Sequence, residues 1–274
     1  MIHGQRWYEI CDVVWDNAEG PHHEQIYIIK NNVELIHSQP CVIFCKMNFM
    51  DQMFNLLQSS PYNHILISNN SDYPVTQQWV DILPHNIKTW YAVNLVVKDD
   101  RLIHIPIGLE RALGGGISSD YTQVEKNIGK TKTKLVYMNH SDRNNMSVRK
   151  PITHKFSNVD WVTHDEQVSY ADYMSHLSDH KFTLSPNGYG IDCHRTWEAL
   201  YVGTIPILND SLLAREFAKH LPILIVDDML SITEEFLNNV YEDFNKKEYD
   251  LSLLSFDYWK TTILNNFKEW CTVN

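Results

Sequence analysis

Residues 181–208, KFTLSPNGYGIDCHRTWEALYVGTIPIL, constrain the fold more than any other part of this chain. Residues 182–184 and 205–208 have the composition of buried strands. Between them, Gly188 and Gly190 stand in a turn, where glycine allows positive φ angles. An amphipathic stretch follows the turn and predicts a short helix. Two strands joined through a helix run parallel in one sheet. The segment therefore predicts an α/β protein.

The helix of this segment offers an anion-binding site. Asp192 is predicted to be the N-cap of a helix that begins near Cys193. Along that helix His194, Arg195 and Glu198 share one face, and the opposite face carries Trp197, Leu200 and Tyr201. A helix N-terminus attracts phosphate through its N–H groups and dipole, and a guanidinium can donate two hydrogen bonds to it. Glu198 could accept from both hydroxyls of a ribose. We therefore predict that Arg195 and Glu198 bind a nucleotide diphosphate.

Neighbouring groups extend this predicted donor site. Hydroxyl, amide and backbone N–H groups after the first strand are predicted to line the diphosphate; they belong to Ser185, Asn187, Gly188 and Gly190. Arg149, at the start of a helix, is a second predicted phosphate ligand, and Arg143 in the same loop is the fallback. The alternative interpretation is an ordinary surface pair of Arg195 and Glu198, which stabilises a helix by only a few tenths of a kcal/mol.

The pattern F-x-L-S-P-x-G-x-G-x-D-C-H-R-x-W-E-A-L-x-x-G-x-I-P-I in this segment resembles exostosin-like glycosyltransferases of family 47. SNNSD (68–72), TWYAVN (89–94) and IPIGLE (105–110) also resemble the N-terminal half of related short transferases. The resemblance implies a GT-B fold, in which two Rossmann-like βαβ domains enclose a cleft. It also implies a UDP-sugar donor and inversion at the anomeric carbon. The chain is most similar to short, soluble bacterial or viral members of this kind.

Strand and helix patterns alternate along most of the chain, which predicts two parallel sheets. Predicted strands lie at 41–46, 64–68, 89–92, 102–105, 135–138, 159–162, 182–184, 205–208 and 223–226. Predicted helices lie at 50–58, 75–83, 147–156, 170–178, 233–246 and 256–270. The glycine-rich stretch 113–130 is the predicted linker. We therefore expect an acceptor-binding domain at 1–120 and a nucleotide-sugar-binding domain at 121–274. The last helix either crosses back to the first domain or covers the surface of the second.

Inverting transfer needs a general base for the acceptor hydroxyl, expected in the first domain at the carboxyl end of a strand. Asp72, after the strand HILIS, is the first candidate. Its alternative interpretation is an Asx-turn or N-cap ahead of a helix at Val75, which Pro74 would favour. Glu110, just past IPIG, is the second candidate for the catalytic base, and His140 is the third.

The composition excludes some other kinds of function. The net charge of −11 comes without a cluster of Lys and Arg, which argues against nucleic-acid binding. No run of 18 uncharged apolar residues predicts a membrane span. There is no Asp-x-Asp motif, and His176 and His180 lack a third ligand, so no metal or other cofactor is predicted.

Five cysteines are present, and Cys41 and Cys45 would stand about 13 Å apart on a strand, too far for a disulfide. Reduced thiols and the lack of a signal-peptide pattern indicate the cytoplasm, which would be the host cytoplasm for a viral protein.

Other activities stay open beside sugar transfer. A nicotinamide-dependent enzyme fits poorly, because position 193 is Cys where a third glycine is required. A sugar-nucleotide epimerase, a phosphorylase and a non-catalytic glycan-binding protein are the remaining alternatives. Within glycosyltransferases, we predict UDP-xylose as donor and a glycan hydroxyl, such as one on fucose, as acceptor.

Overall fold

The computed structural model describes residues 1–19, 26–110 and 121–271, which divide into two α/β units. The first unit comprises Met1–Ser119 with Ser255–Asn274, and the second comprises Asp120–Leu254. Each unit contains a mainly parallel sheet with helices. The prediction of an α/β protein with two Rossmann-like domains, the pair found in the GT-B class, is confirmed.

The sheet of the first unit has the strand order β2-β1-β3-β4-β5-β6 among the described residues. Its strands are β1 (Val13–Glu19), β2 (Ile26–Asn31), β3 (Cys41–Cys45), β4 (His64–Ser68), β5 (Ile87–Ala92) and β6 (Leu102–His104). Only β1 and β2 pair antiparallel. Every residue of β3 and β4 is buried, because parallel strands are covered on both faces.

The helices of the first unit pack against this sheet. They are α1 (Met50–Gln58) and α2 (Gln77–Asp81), and later in the chain α9 (Phe256–Cys271). Met50, Met53 and Leu57 of α1 are wholly buried in the core of the unit. The last helix, α9, contacts β3 and β4, and its Ile263 is also wholly buried. It is therefore part of the first unit, although the chain passes through the second unit before reaching it.

The sheet of the second unit is parallel throughout, with the order β11-β10-β9-β7-β8. Its strands are β7 (Lys134–Met138), β8 (Val162–His164), β9 (His180–Leu184), β10 (Ile205–Asn209) and β11 (Leu224–Val226). Its helices are α3 (Thr122–Glu125), α4 (Met146–Phe156), α5 (Tyr170–Asp179), α6 (His194–Tyr201), α7 (Leu212–Phe217) and α8 (Glu234–Phe244). The central strand β9 thus has β7 and β10 as neighbours, and its carboxyl end leads directly into the loop before α6.

Some predicted elements need correction. The helix predicted at 75–83 begins only at Gln77, because Val75 makes an isolated bridge with Leu95 and its N–H donates to the Asn94 carbonyl. The strand predicted at 159–162 is Val162–His164 instead. The strands β1 and β2 and the helices α3 and α7 were not predicted.

Two findings concern the predicted linker and membrane spans. The predicted linker at 113–130 falls partly on 111–120, outside the described residues. Its remainder is not a linker, since α3 contacts α5 and buries Val124. Within the described residues, no helix combines the length and the apolar character that crossing a bilayer requires.

Candidate functional site

The loop between β9 and α6 lies at the carboxyl end of the second sheet. The Ser185 N–H donates to the Ile207 carbonyl, which fixes the start of the loop against β10 (3.0 Å). Carboxyl ends of parallel strands are where ligands bind in such sheets. The eight residues of α6 begin here, and its N-cap residue Cys193 provides no side-chain capping bond. The Cys193 side chain therefore contributes no acceptor to the first turn of α6.

Asp192 is not the N-cap that we predicted. The cap position belongs to Cys193, and the buried Asp192 carboxylate instead accepts a hydrogen bond from the Trp197 indole N–H (2.7 Å). Trp197 packs edge-on against Phe217, with ring centroids 4.9 Å apart. The apolar face predicted for α6 is confirmed for Trp197 and Leu200, which are both buried. Asp192 thus anchors α6 to the core of the second unit.

In the turn, Gly188 is required for space rather than for positive φ. Among the described glycines, positive φ occurs at Gly108, Gly129 and Gly203, so that expectation for the turn was wrong. At Gly188, however, a Cβ atom would lie 2.9 Å from Nη2 of Arg149. The Gly188 N–H donates to the Gly190 carbonyl (3.0 Å), which closes the turn. The absent side chain of Gly188 therefore makes room for a buried guanidinium.

Arg149 holds this loop through its hydrogen-bond donors. Its Nε, Nη1 and Nη2 donate to the carbonyls of Asn187, Ser141 and Pro186 at 3.0, 3.0 and 3.1 Å. Nη2 also lies 3.7 Å from Sγ of Cys193. Burial lowers the pKa of Arg149, and the charge of Arg195 lowers it further. A guanidinium has five N–H donors, so the geometry leaves at most one for a phosphate.

Two buried polar atoms near this loop lack hydrogen-bond partners within the described part of the chain. They are Nε of Arg195 and Nδ1 of His140. Burial lowers the pKa of His140 to about 3, and the charges of Arg195 and Arg149 act in the same direction. The two groups are therefore close enough to interact electrostatically. Buried polar atoms usually have partners, because leaving one unpaired costs about 1–3 kcal/mol.

The ring of His140 is oriented from its other side. Its Nε2 lies 3.1 Å from the Thr153 hydroxyl, which donates to Asp142 at 2.7 Å. Since a hydroxyl has one proton, this arrangement assigns the imidazole proton to Nε2 and leaves a lone pair on Nδ1. Arg143, the fallback phosphate ligand, is exposed.

Glu198 lies beneath two tyrosines of α5. It is buried, and it accepts hydrogen bonds from the hydroxyls of Tyr173 (2.8 Å) and Tyr170 (3.3 Å). The residue pair Arg195 and Glu198 is therefore not the exposed helix pair of the alternative interpretation. The two tyrosines were not singled out in the sequence, although their spacing of three residues on a predicted helix was the available signal.

Two of the remaining predicted lining residues, Ser185 and Asn187, make hydrogen bonds within the second unit. The buried Ser185 hydroxyl is paired with the Thr196 hydroxyl at 2.9 Å, and the Asn187 carbonyl accepts from Arg149. A further cluster follows β8, where the Asp165 carboxylate accepts from Tyr137 (2.8 Å) and pairs with His176 (2.6 Å). The second unit thus gathers all the predicted donor-site residues and an acidic loop at one sheet edge.

The first two candidate bases lie in the first unit on two connected loops, whereas His140, the third, lies in the second unit. Asp72 and Glu110 are both exposed. The loop after β4 is joined to the loop after β6 by a hydrogen bond from the Asn69 side chain to the Pro106 carbonyl (3.3 Å). Asp72 does not cap α2, because that position belongs to Thr76, and the turn is made by Ser71, whose hydroxyl accepts from the Tyr73 N–H.

The described side chains do not form a recognisable metal site. Across residues 1–19, 26–110 and 121–271, no group of three His, Cys, Asp or Glu side chains is arranged to hold a metal ion. His180, one of the two histidines considered earlier, is instead hydrogen-bonded to the His176 carbonyl and the Thr163 hydroxyl.

Acid is expected to destabilise the second unit through its buried histidines. Burial lowers the pKa of His140 to about 3 and that of His180 to about 4. An unfolded histidine titrates near pH 6.5, so the stability is complete above that pH and is lost as the pH falls toward 4. Each histidine contributes a slope of up to about 1.4 kcal/mol per pH unit. Urea melts at pH 7 and pH 5 measure this loss, which His180→Gln should reduce and the exposed His154→Gln should not.

One family model matches part of the second unit. The family model for the RXYLT1 C-terminal domain, which is xylosyltransferase-like, matches residues 129–225, about a third of the chain. The matched segment contains Arg149 and the whole of 181–208. No curated protein matches. Residues 129–225 thus form a glycosyltransferase-like domain.

Similar solved structures are distant in sequence. An α,α-trehalose-phosphate synthase (UDP-forming) from Burkholderia vietnamiensis aligns with 83% of this chain and 72% of its own, at 8% identity and a TM-score of 0.43. A GtfA/B complex aligns with 89% of this chain at 11% identity and a TM-score of 0.36. The same complex bound to UDP and GlcNAc aligns with 92%, at 11% identity and a TM-score of 0.34. The chain spans 58% and 60% of the two GtfA/B chains.

Proposed function

We propose that the protein is an inverting glycosyltransferase that binds a UDP-sugar at the carboxyl edge of its second sheet. The observation that carries this proposal is the buried Arg195 Nε, which is unpaired within the described residues and lies in the first turn of α6. A phosphate oxygen would satisfy this donor and accept from the first N–H groups of α6. Diphosphate is the leaving group of sugar transfer, so the same contacts would stabilise the negative charge that develops on it.

The nucleoside is proposed to lie toward α5. Glu198 follows Arg195 by about one turn of α6, and its two tyrosine partners belong to α5. One helical turn is about the distance from a diphosphate to the ribose of the same nucleotide. The carboxylate can accept from ribose hydroxyls when the Tyr170 contact, the longer of the two, is exchanged for them. The loop after β8, with Asp165 in it, is proposed to contact the base.

The reaction is proposed to need a base from the first unit. Asp72 is exposed and makes no cap, so its carboxylate is available to deprotonate an acceptor hydroxyl while that hydroxyl attacks the anomeric carbon. The positive charge of Arg195 and the dipole of α6 would serve the leaving group without a metal ion. The donor is proposed to be UDP-xylose, in line with the family model, and the acceptor a glycan hydroxyl such as that of fucose. We place the reaction in the cytoplasm.

Binding of UDP is expected to raise the melting temperature of the protein. A ligand at 100 times its Kd adds about 2.7 kcal/mol to the free energy of unfolding. UMP, which lacks the second phosphate, should raise it less, because the contacts of Arg195 would be incomplete. Thermal unfolding with UDP, UMP and a panel of UDP-sugars, with calorimetry for affinity, measures both effects. If neither nucleotide binds, the proposed function is wrong.

Turnover assays distinguish the rival activities. A transferase releases UDP and glycosylates the acceptor, whereas an epimerase changes the sugar without releasing UDP. A phosphorylase would require inorganic phosphate, and a glycan-binding protein would bind the glycan without binding UDP. Activity that persists in EDTA would support the metal-independent mechanism.

A further inference from the structure

A carboxylate is buried at the carboxyl edge of the first sheet. Asp16 lies within β1 in the sequence VVWDNA, and none of its surface is exposed. Removing a carboxylate from water is unfavourable unless hydrogen bonds and a positive charge compensate for it. The Asp16 carboxylate accepts from the Tyr8 hydroxyl, from the Asn70 side-chain amide (2.8 Å) and from the Asn17 N–H (2.6 Å). Nζ of Lys46 lies 3.9 Å from it.

The contact with Asn70 fixes an unusual backbone conformation. Asn70 has φ +60°, in the left-handed region that asparagine tolerates better than most residues. Its N–H donates to the Asn69 side chain (2.6 Å), and its own side-chain amide donates to Asp16. On the other side the backbone of Gly4 lies against this amide, since a Cβ there would lie 1.6 Å from Oδ1 of Asn70. Asn70 is therefore enclosed between Asp16 and Gly4.

This enclosure sets the course of the chain toward Asp72. Two residues after Asn70 the chain reaches Asp72, and the Ser71 hydroxyl holds the next N–H, that of Tyr73. Asp72 itself is exposed. Among the described contacts, the hydrogen bonds of its neighbours in the chain are therefore what fix the backbone position of Asp72. The sequence of β1 does contain a signal for this role, namely an acidic residue directly after the apolar run of residues 13–15.

Asp12, next to the opposite end of the same strand, is a carboxylate whose described hydrogen bond only joins two strands of the sheet. Its Oδ2 accepts from the Val42 N–H at 2.8 Å, and this bond joins β1 to β3 away from the carboxyl edge. Asp16 differs from it because one of its partners belongs to the loop after β4 rather than to the sheet. An apolar residue would pack into β1 without the cost of burying a charge.

We propose that Asp16 is a positioning residue, whose carboxylate fixes the loop of residues 69–73 and so places Asp72 for proton abstraction. The inference rests on the proposed function, because it presupposes that Asp72 on this loop is the catalytic base. Asp16 itself touches no substrate. It acts through Asn70, and its removal is expected to loosen the loop while the second unit and its UDP site are unaffected.

Hydrogen exchange at single backbone amides tests the positioning directly. Asp16→Asn preserves shape but replaces one carboxylate oxygen by an NH2 group, so the side chain can no longer accept from both Asn70 and Asn17. The Asn70 and Tyr73 amides should then exchange at least about tenfold faster. Asp12→Asn is the matched control and should leave both rates unchanged. Asn70→Gly tolerates the left-handed backbone and removes the side chain that contacts Asp16 and packs against Gly4, so it should reproduce the effect if Asp16→Asn does not fold. Unchanged rates in the folded variants would overturn the proposal.

A double-mutant cycle on turnover separates positioning from general weakening of the fold. Asp16→Asn should lower kcat about tenfold without changing the KM for the UDP-sugar, and it should have no further effect in an Asp72→Asn background. Equal losses in both backgrounds would contradict a route through Asp72. If Asp72→Asn retains full activity, the base assignment fails, and the exchange rates alone decide whether Asp16 orders the loop.

Discussion

Replacing Asp72 by Asn is expected to reduce transfer by about 10²–10⁴-fold, the usual contribution of a general base. The amide has the size of the carboxylate but cannot take a proton from the acceptor hydroxyl. Because Asp72 is exposed and caps no helix, the substitution should leave the free energy of unfolding within about 0.5 kcal/mol of the wild type. UDP affinity should also be unchanged, since the proposed nucleotide site lies in the second unit. Steady-state kinetics and calorimetry on the same preparation measure both.

Glu110→Gln is the control for this prediction. Glu110 is also exposed, and its loop is joined to that of Asp72 through Asn69 and Pro106. If Asp72 is the base, Glu110→Gln should keep most of the turnover. The reverse outcome, with an active Asp72→Asn and an inactive Glu110→Gln, would transfer the role to Glu110. Loss of UDP binding in Asp72→Asn would contradict the separation of the two functions.

The central strands and the longer helices could be predicted from local sequence, because their patterns arise within the segments themselves. CVIFC and HILIS are continuous apolar runs bounded by polar residues, which is the pattern of strands covered on both faces. The helix Met50–Gln58 has the predicted bounds, since its buried residues recur at helical spacing. The antiparallel strand β2, by contrast, runs along the edge of the sheet, where partly exposed residues dilute such a pattern.

The composition of the donor site could be predicted, but its hydrogen bonds could not. The turn, the helix and the residues Arg195 and Glu198 all lie in one continuous segment, so their proximity follows from helix geometry. The bonds of Arg149 reach across some forty residues to backbone carbonyls, which have no sequence signal. The same limitation explains Gly188. A glycine in a turn suggests positive φ, whereas the actual requirement is the approach of a distant guanidinium.

In the first unit, the buried carboxylate of Asp16 is the clearest feature that local patterns missed. Its partners come from the N-terminal segment, from the loop after β3 and from the loop after β4. Only the strand order brings these three stretches to one edge. Asp72 could be nominated because it follows a strong strand pattern, but what holds its loop depends on tertiary contacts.

Replacing Arg195 by Ala is expected to weaken UDP binding by about 100-fold. A hydrogen bond to a charged group contributes roughly 1.5–3 kcal/mol net of its exchange with water, and a 100-fold change in affinity corresponds to about 2.7 kcal/mol. The unliganded protein should be no less stable than the wild type, within about 1 kcal/mol, because the substitution removes a buried N–H that has no partner in the described structure. A binding site that keeps such a donor unpaired stores a cost that its ligand relieves. Calorimetry with UDP and thermal unfolding without it measure the two quantities.

Arg149→Ala is the matched control, since it removes the same charged group from another helix beside the loop before α6. Its guanidinium satisfies three backbone carbonyls, so this substitution should destabilise the fold by about 3 kcal/mol or more, whatever it does to UDP binding. The two substitutions should therefore have different effects: Arg195→Ala should lower the affinity for UDP, and Arg149→Ala should lower the free energy of unfolding. UMP provides a second comparison, because its affinity should fall less than that of UDP in Arg195→Ala. If Arg195→Ala binds UDP as tightly as the wild type, the diphosphate does not lie at the first turn of α6, and the proposed donor site is wrong.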